Sequence, residues 1–180
     1  MTVRLWCHPG VTFELGQLKV LVAPPERMAA LLELPEIVNF HTRYLHHGRS
    51  DVLFRAPPIR SEHFEAMACE TLDEMMAAVR SSFHTVLMVK WDPALAAGLE
   101  AEERGRGMLR FTAALKRRAG SSIVIVYAPA MDGALRQVSA GADQTAWLVP
   151  RPVEPRPTVK VAARAKAQLT LAGAGWGGSS

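Results

Sequence analysis

Residues 18–34, LKVLVAPPERMAALLEL, have the layout from which phosphate-binding loops are built. An apolar run typical of a buried strand ends at a pair of prolines, and a helical run follows at once. A phosphate-binding loop needs glycines whose amides surround the phosphate, a lysine for its charge and a hydroxyl for magnesium. None of these groups is present at the turn. The residues in the matching positions are Ala23, Pro24, Pro25, Glu26, Arg27, Met28, Ala29 and Ala30.

Histidines are the next residues that could carry chemistry, and four of the six invite a metal hypothesis. These are His41, His46, His47 and His63. Because His41 and His46 are five residues apart, they do not share one face of a helix. The zinc pattern H-E-x-x-H and a cysteine at ligand spacing are both absent from the sequence. We therefore expect no metal site, and exposed histidines near a helix C-terminus, where the helix dipole favours positive charge.

Length and composition predict one domain with its own core, since the chain has 180 residues of which 49% are hydrophobic. Cys7 and Cys69 lie far apart without a C-x-x-C pair, which favours two reduced, buried thiols in a reducing compartment. The sequence lacks a signal-peptide pattern at its start and any run of the roughly 18 apolar residues that a membrane span needs. These features predict a cytoplasmic protein without membrane contact.

The charge of the chain is uneven along its length. Residues 1–150 carry 16 basic and 16 acidic side chains, whereas residues 151–180 carry five basic side chains against Glu154 alone. The whole net charge of +4 therefore lies in the last segment. That segment begins with a proline-rich stretch, which predicts a stiff linker, and ends in glycines. We predict an α/β core over residues 1–150, followed by a basic tail that either stays extended or packs as an edge strand.

Alternation of apolar and helical runs predicts the fold class. Strands are expected at residues 18–22, 51–56, 84–91, 121–128 and 145–150. Helices are expected at residues 25–47, 62–69, 72–82 and 94–119, the last interrupted around Gly105 and Gly107, with a loop or short helix at 131–143. Thr71 and Glu74 have the spacing of a capping box. Because the apolar runs are continuous, they indicate a mostly parallel, twisted sheet flanked by helices on both faces.

Several segments in this order resemble a known family. They are Phe13–Gly16, Leu53–Phe54 with Ser61–Ala68, Leu72–Met76 with Val86–Val89, and Ile123–Val126 with Ala142–Asp143 and Trp147–Leu148. Together they resemble the core ATPase domain of the RecA/RadA recombinase superfamily, most closely its short RadB-like and KaiC-like members. The resemblance covers residues 13–149 and rests on the order and spacing of the segments. It implies a RecA-like core.

Four departures from that family fall where its chemistry takes place. The Walker A lysine and hydroxyl positions are Ala29 and Ala30, and the Walker B aspartate position is Lys90, with Asp92 two residues later. The general-base glutamate position falls near Pro57 and Pro58, and the polar sensor position falls on Ala128 and Pro129. The resemblance therefore implies a RecA-like core without an intact phosphate-binding loop, without a catalytic residue and without a nucleotide cofactor.

Phe111-Thr-Ala-Ala114 matches the F-x-x-A pattern through which RadA-type protomers join. In that family the pattern lies on a linker ahead of the core, whereas here it lies inside a predicted helix. The simpler expectation is that Leu109, Phe111 and Leu115 face the sheet.

Basic residues in two regions are the candidates for contact with nucleic acid. They are Arg104, Arg106, Lys116, Arg117 and Arg118 in the predicted helix, and Arg156, Lys160, Arg164 and Lys166 in the tail. In recombinase-like domains the segments after the third and fourth strands line the path of the DNA. The competing interpretation is a solvated helix face, and no aromatic residues alternate with these charges as base stacking would require.

The resemblance as a whole implies a catalytically inactive RecA/RadA-like paralogue, an accessory or regulatory factor in DNA recombination and repair. The implied partners are a RecA/RadA-like protomer or another protein, together with DNA, and the protein alone is expected to be a monomer or small oligomer. Two alternatives stay open. One is a protein-interaction regulator unrelated to DNA, as in cell division or signalling, and the other is an atypical nucleotide-binding ATPase.

Overall fold

The computed structural model describes residues 2–4 (backbone), 11–34, 37, 39–48 and 62–148. Within them the strands are β1 (Thr2–Arg4), β2 (Thr12–Glu14), β3 (Leu18–Val22), β4 (Thr42–His47), β5 (Phe64–Cys69), β6 (Val86–Lys90), β7 (Ile123–Ala128) and β8 (Gln144–Trp147). The helices are α1 (Pro25–Leu32), α2 (Leu72–Ser81), α3 (Ala101–Ala119) and α4 (Gly133–Gly141), with a 3-10 helix at Pro93–Ala96. The predicted strand at 51–56 and the tail at 151–180 lie outside the described residues.

The core of the fold is a six-stranded sheet in which every neighbouring pair is parallel. Its strand order is β5-β4-β6-β7-β3-β8, and β1 and β2 form a separate antiparallel pair. Helices cover both faces of the sheet, as the hydrophobic clusters on its two sides show. The predicted α/β class with a parallel sheet flanked by helices is thus confirmed.

Strand β7 shows why the apolar runs of this sequence are continuous. Its six residues are all buried, and successive side chains point to opposite faces. Ile123, Ile125 and Tyr127 pack in the cluster that contains α1, whereas Val124 and Val126 pack in the cluster that contains α2, α3 and α4. A strand with a helix layer on each side has no face for polar residues.

The direction of each crossover decides the face on which its helix lies. From β3 the chain moves to β4 in one direction along the sheet, and α1 lies on one face. From β5, β6 and β7 it moves in the opposite direction, and α2, α3 and α4 lie on the other face. A single crossover hand requires this arrangement. The segments that leave the neighbouring strands β3 and β7 therefore diverge to opposite faces.

Polar side chains fix the starts of two helices. Thr71 Oγ1 accepts from the Glu74 amide at 3.2 Å, and Glu74 Oε2 accepts from the Glu70 amide at 2.8 Å. The predicted cap at Thr71 is confirmed, although Glu74 accepts from the amide of the residue before the cap and not from that of Thr71, as a strict capping box would. Asp132 caps α4 by accepting from the Leu135 amide at 2.6 Å.

Two predicted helices proved wrong where the sequence pattern was ambiguous. Residues 42–47 form β4 and not the end of a long helix, and residues 64–69 form β5 and not a short helix. Each strand gains its backbone hydrogen bonds from a parallel neighbour, β4 from β5 and β6, so tertiary pairing overrides local preference. Leu109 was expected to face the sheet, but it is 68% exposed. The interruption expected around Gly105 and Gly107 was also wrong, since α3 is continuous through both glycines.

Helices α3 and α4 approach each other closely at Gly141. A Cβ atom added there would lie 2.6 Å from Cγ2 of Thr112, whose hydroxyl donates to the Met108 carbonyl at 2.8 Å. Because Thr112 is β-branched and held by that hydrogen bond, its methyl group cannot turn away without cost. Glycine at this position therefore allows the two helices to pack.

We predict that Gly141→Ala lowers the free energy of unfolding by about 1–3 kcal/mol, as overpacking does. Adding Thr112→Ser, which removes the clashing methyl group, should restore most of the loss. Gly105→Ala is the matched control, since a Cβ at Gly105 meets nothing within 4 Å and the substitution should stabilise α3. Urea denaturation of these variants, with Thr112→Ser alone as the reference for the double variant, tests this. Equal effects of Gly141→Ala in the wild-type chain and in the Thr112→Ser chain would contradict the packing argument.

Candidate functional site

The turn between β3 and α1 lies at the carboxyl edge of the sheet, where the segments leaving β3 and β7 diverge. In open α/β sheets such a crevice is the usual ligand site. Only Ala23 and Pro24 separate β3 from α1, which begins at Pro25. The turn is therefore a direct strand-to-helix connection, in which Pro25 and the residues after it already belong to α1.

The backbone amides of this turn are already engaged or missing. Ala23 is buried, and its amide donates to the Ala128 carbonyl at 3.1 Å. Prolines at positions 24 and 25 have no amide. Arg27 and Met28 both donate to the Pro24 carbonyl, at 3.0 and 3.4 Å. Of the amides that would surround a phosphate, those of Ala23, Arg27 and Met28 are thus already bound, and the two prolines offer none.

The side chains of the turn and first helical turns point to different surroundings. Glu26 and Arg27 are exposed, whereas Met28 is fully buried in the core beneath α1. Ala29 is partly buried and Ala30 is exposed. An exposed carboxylate from Glu26 next to the turn opposes the approach of an anion.

Two carboxylates near the end of β6 stabilise the fold. Asp132 Oδ2 accepts from Nε1 of the buried Trp91 at 2.9 Å, while its other oxygen caps α4. Asp92 Oδ1 accepts from the Ala94 amide at 2.9 Å and so caps the 3-10 helix. His47 Nδ1 lies 3.4 Å from the second oxygen of Asp92. The carboxylates nearest the predicted Walker B position are therefore already engaged.

The predicted Walker B and sensor positions lie at this edge, and the predicted general-base position lies outside the described residues. Lys90 is the last residue of β6, and Ala128 is the last residue of β7 and is buried. Pro129 follows β7 and is exposed. Pro57 and Pro58 lie outside the part of the chain that the structure describes. Lys90, Ala128 and the β3–α1 turn therefore lie at one edge of the sheet.

The candidate basic residues of α3 fall into two groups. Arg104 Nη2 donates to the Leu99 carbonyl at 2.8 Å, and Arg118 Nη2 donates to the His84 carbonyl at 2.9 Å. Arg106 is exposed and lies 3.6 Å from Glu102, one turn before it. Lys116 and Arg117 are exposed at the last turn. The tail candidates Arg156, Lys160, Arg164 and Lys166 lie outside the described residues.

Three exposed arginines of α3 share one side of the helix. Arg110 follows Arg106 by four residues and Arg117 follows Arg110 by seven, which are close to one and two turns. All three are exposed, whereas Met108, Phe111 and Leu115 on the opposite side are buried. The outer face of α3, defined by Arg106, Arg110, Lys116 and Arg117, is therefore basic along its C-terminal half, while Glu102 lies beside Arg106 at its start.

A groove of about 400 Å³ lies between the start of α2, the 3-10 helix and α3. Its apolar lining comes from Leu72, Leu95 and Leu99, and its rim includes Glu70, Asp73, Glu103 and Arg110. Gly107 lines the groove, where a Cβ would lie 3.1 Å from Leu72 Cδ2. Three carboxylates against one guanidinium disfavour an anionic ligand here.

A polar network at the opposite, amino edge was not predicted from the sequence. Arg43 on β4 makes a bidentate pair with Glu65 on β5, with Nη2–Oε1 at 2.7 Å and Nε–Oε2 at 3.1 Å. His84 Nε2 lies 3.0 Å from Glu65 Oε2, and its Nδ1 lies 3.3 Å from Ser82 Oγ. A neutral imidazole that donates from Nε2 can accept the Ser82 hydroxyl at Nδ1.

The surroundings of this network shift the pKa of two members in the same direction. Burial and then the neighbouring Arg43 guanidinium lower the pKa of His84, against the opposing influence of Glu65. The hydrogen bond from Arg43 lowers the pKa of the Glu65 carboxyl. We conclude that near neutral pH the network consists of a charged Arg43–Glu65 pair and a neutral His84.

Cysteine and histidine chemistry is limited in the described part of the chain. Cys69 is a free, buried thiol, and burial raises its pKa to about 11, which keeps it protonated and unreactive. Cys7 lies outside the described residues. His46 was expected to be exposed at a helix end but is 1% exposed within β4. Among the described residues, no three histidine, cysteine or acidic side chains form a possible metal site.

Lys19 on β3 is buried, and its side chain contacts strand β2. Its Nζ donates to the Thr12 carbonyl and lies 5.8 Å from the centre of the Phe13 ring. Burial lowers the pKa of Lys19, while Glu14 and Asp143 act in the opposite direction. A lysine held by a backbone carbonyl and an aromatic face fixes β2 to the sheet.

We predict that acid destabilises the protein through His84. Because its pKa is lower in the folded than in the unfolded chain, the unfolded chain takes up the proton first as pH falls below about 6.5. Unfolding free energy should therefore fall between about pH 7 and pH 5.5, and His84→Gln should reduce that slope. Equal slopes for wild type and His84→Gln in urea denaturation would contradict the prediction.

Among the described residues, no helix is both long and apolar enough to cross a membrane. A comparison of the chain with models of known protein families found no match, and a comparison with curated proteins found no significant match.

Proposed function

We propose that this chain is a RecA-like domain without nucleotide chemistry, which acts in the cytoplasm as an accessory or regulatory factor in DNA recombination and repair. It would do so by contacting a RecA/RadA-like protomer or another protein, and DNA. The observation that carries the proposal is the two-residue turn between β3 and α1. It stands at the crevice where a related ATPase would hold phosphate, and its amides are already engaged or absent.

Two features at the same edge support the loss of catalysis. The side chains in the Walker A lysine and hydroxyl positions, Ala29 and Ala30, carry neither charge nor hydroxyl. Asp92 and Asp132 both act as helix caps, so a magnesium ion would compete with backbone amides for them. A domain that keeps this scaffold without the chemistry is suited to binding other macromolecules.

The DNA part of the proposal is supported by charge. The outer face of α3 carries exposed Arg106, Arg110, Lys116 and Arg117, and the tail carries the whole net charge of +4. Contacts of this kind are mainly with phosphate, so they depend on salt and discriminate little between base sequences. Glu102 and Glu103 at the start of α3 would orient an anionic strand towards the C-terminal half of the helix.

We predict that the protein does not bind Mg-ATP, because the turn lacks a lysine, a hydroxyl and free amides. Isothermal titration with Mg-ATP and with Mg-ADP should show no heat of binding. The midpoint of thermal unfolding should also stay unchanged at millimolar nucleotide, since binding to the folded state would raise it. A micromolar or tighter dissociation constant would contradict the proposal and favour the atypical ATPase.

We predict that oligonucleotides bind mainly through the tail, with the outer face of α3 contributing. In fluorescence anisotropy the logarithm of affinity should fall with the logarithm of salt at a slope of about −4. Truncation after Pro150 should remove most of the affinity, and the pair Lys116→Glu and Arg117→Glu should weaken it further than Arg80→Glu, an exposed control on α2. Circular dichroism verifies that each variant is folded.

The remaining outcomes of the oligonucleotide experiment assign the function differently. If the truncated chain binds as tightly as the full chain, the tail is not the site and the outer face of α3 becomes the candidate. If neither binds at low salt, the DNA part of the proposal is wrong, and the protein-interaction regulator takes its place.

A further inference from the structure

The groove between the start of α2, the 3-10 helix and α3 has an apolar floor and a mainly acidic rim. Leu72 and Leu95 are buried at its floor, and its volume of about 400 Å³ lies in the range of ligand pockets. The charged residues of the rim are all exposed, and they are Glu70, Asp73, Glu103 and Arg110. Three carboxylates against one guanidinium favour an occupant that combines apolar side chains with positive charge.

The topology of the sheet limits which segment outside the described residues can reach this groove. Leu72 and Leu95 belong to the cluster on the face that α2, α3 and α4 cover. The connection from β4 to β5 runs in the same direction as that from β3 to β4, so a crossover of the same hand belongs to the opposite face, with α1. Strand β2, which residues 5–10 adjoin, also packs on that opposite face through Phe13. Residues 149–180 are therefore the segment whose position suits the groove.

The length of the linker brings residues 158–171 to the groove. Strand β8 ends at Trp147 at the carboxyl edge of the sheet, and the segments that follow β5 and β6 form the groove at the same edge. Strands β6 and β5 lie three and five positions from β8, which is about 14–24 Å at the usual strand spacing. Residues 149–157 contain four prolines, and an extended proline-rich linker of that length spans about 28 Å.

Residues 158–171, TVKVAARAKAQLTL, carry side chains that complement the groove. Every odd position from 159 to 171 is apolar, and Lys160, Arg164 and Lys166 lie at even positions. An extended segment with this alternation has one apolar face and one basic face. Long basic side chains can reach past an apolar contact to carboxylates at its margin. The segment therefore matches both the floor and the rim.

We propose that residues 158–171 dock in this groove of their own chain. Their apolar side chains pack against Leu72, Leu95 and Leu99, and their basic side chains pair with the carboxylates of the rim. The contact itself does not rest on the function proposed above. If DNA binds the tail as proposed there, it competes with the groove for the same two lysines and arginine, so docking limits the access of DNA to the tail. That competition does rest on the proposed function.

Carbodiimide coupling of the full chain tests the contact, because this reagent joins a lysine amine to a carboxylate where the two are in contact. In the absence of nucleic acid, Lys160 or Lys166 should couple to one of the three rim carboxylates, in a product with the mass of one chain. Glu26 and Glu33 are the internal controls, since both are exposed at α1 on the opposite face. Because nucleic acid is left out, the result does not depend on whether the tail binds DNA.

Tryptic cleavage of the tail gives a second measurement on the full chain. Arg151 and Arg156 precede prolines and resist trypsin, so three cleavage sites remain between the linker and the end of the chain. These sites are Lys160, Arg164 and Lys166. All three lie in the proposed docking segment, so docking should protect them, and cleavage should follow the population of undocked chains.

Removal of rim charge should release the tail. Asp73→Asn with Glu103→Gln should speed tryptic removal of the tail about fivefold, as the loss of surface ion pairs allows. The matched control is Glu26→Gln with Glu33→Gln, which removes two exposed carboxylates from the other face and should leave the rate unchanged. Circular dichroism verifies that both variants are folded.

Three results would each overturn the proposal. The first is coupling of the tail lysines to Glu26 or Glu33 as often as to the rim. The second is a coupled product with the mass of two chains, which would assign the groove to the tail of a second copy. The third is an equal rate of tail cleavage in the rim variant and in its matched control.

Discussion

The single hand of its crossovers is the constraint on which the rest of this structure depends. Strand β3 is the first strand of the six-stranded sheet along the chain but lies between β7 and β8 in it. Its crossover to β4 must therefore run against the direction of the crossovers from β5, β6 and β7, which places α1 alone on its face of the sheet among the described helices. The same reversal opens the crevice between the ends of β3 and β7. The hydrogen bond from the Ala23 amide to the Ala128 carbonyl then spans the base of that crevice.

The parts of the fold that sequence could predict are those in which local pattern and burial agree. Strands β3, β6 and β7 are buried on both faces, so their apolar runs identify them, and Thr71 identifies the start of α2. Strands β4 and β5 were missed for physical reasons. The polar and aromatic residues of β4 continue a helical pattern, and the alanines, methionine and glutamate of β5 favour helix in isolation. Only parallel pairing with neighbouring strands makes them extended.

The candidate site likewise contains residues whose position could be predicted from sequence and residues whose position could not. The β3–α1 turn, Lys90 and Ala128 could be placed together from sequence, because parallel strands bring their carboxyl ends to one edge. The network of Arg43, Glu65 and His84 could not, since it depends on the register between strands whose existence was not predicted. The functions of Asp92 and Asp132 as caps also depend on where the following helices begin. Both carboxylates are aspartates that precede a proline or a glycine, the pattern from which a cap could have been expected.

The position of β3 also determines when this protein can fold during its synthesis. Leu18 pairs with Val124, and Val20 pairs with Val126 and Thr145, so both neighbours of β3 lie more than a hundred residues later in the chain. At a synthesis rate of about 5–20 residues per second, β3 waits roughly 5–25 seconds for them. During that interval the apolar run LKVLV has no ladder to join, and non-local parallel pairing is slow even once the chain is complete. The strand that organises the finished sheet is therefore the segment of the nascent chain most dependent on protection from aggregation.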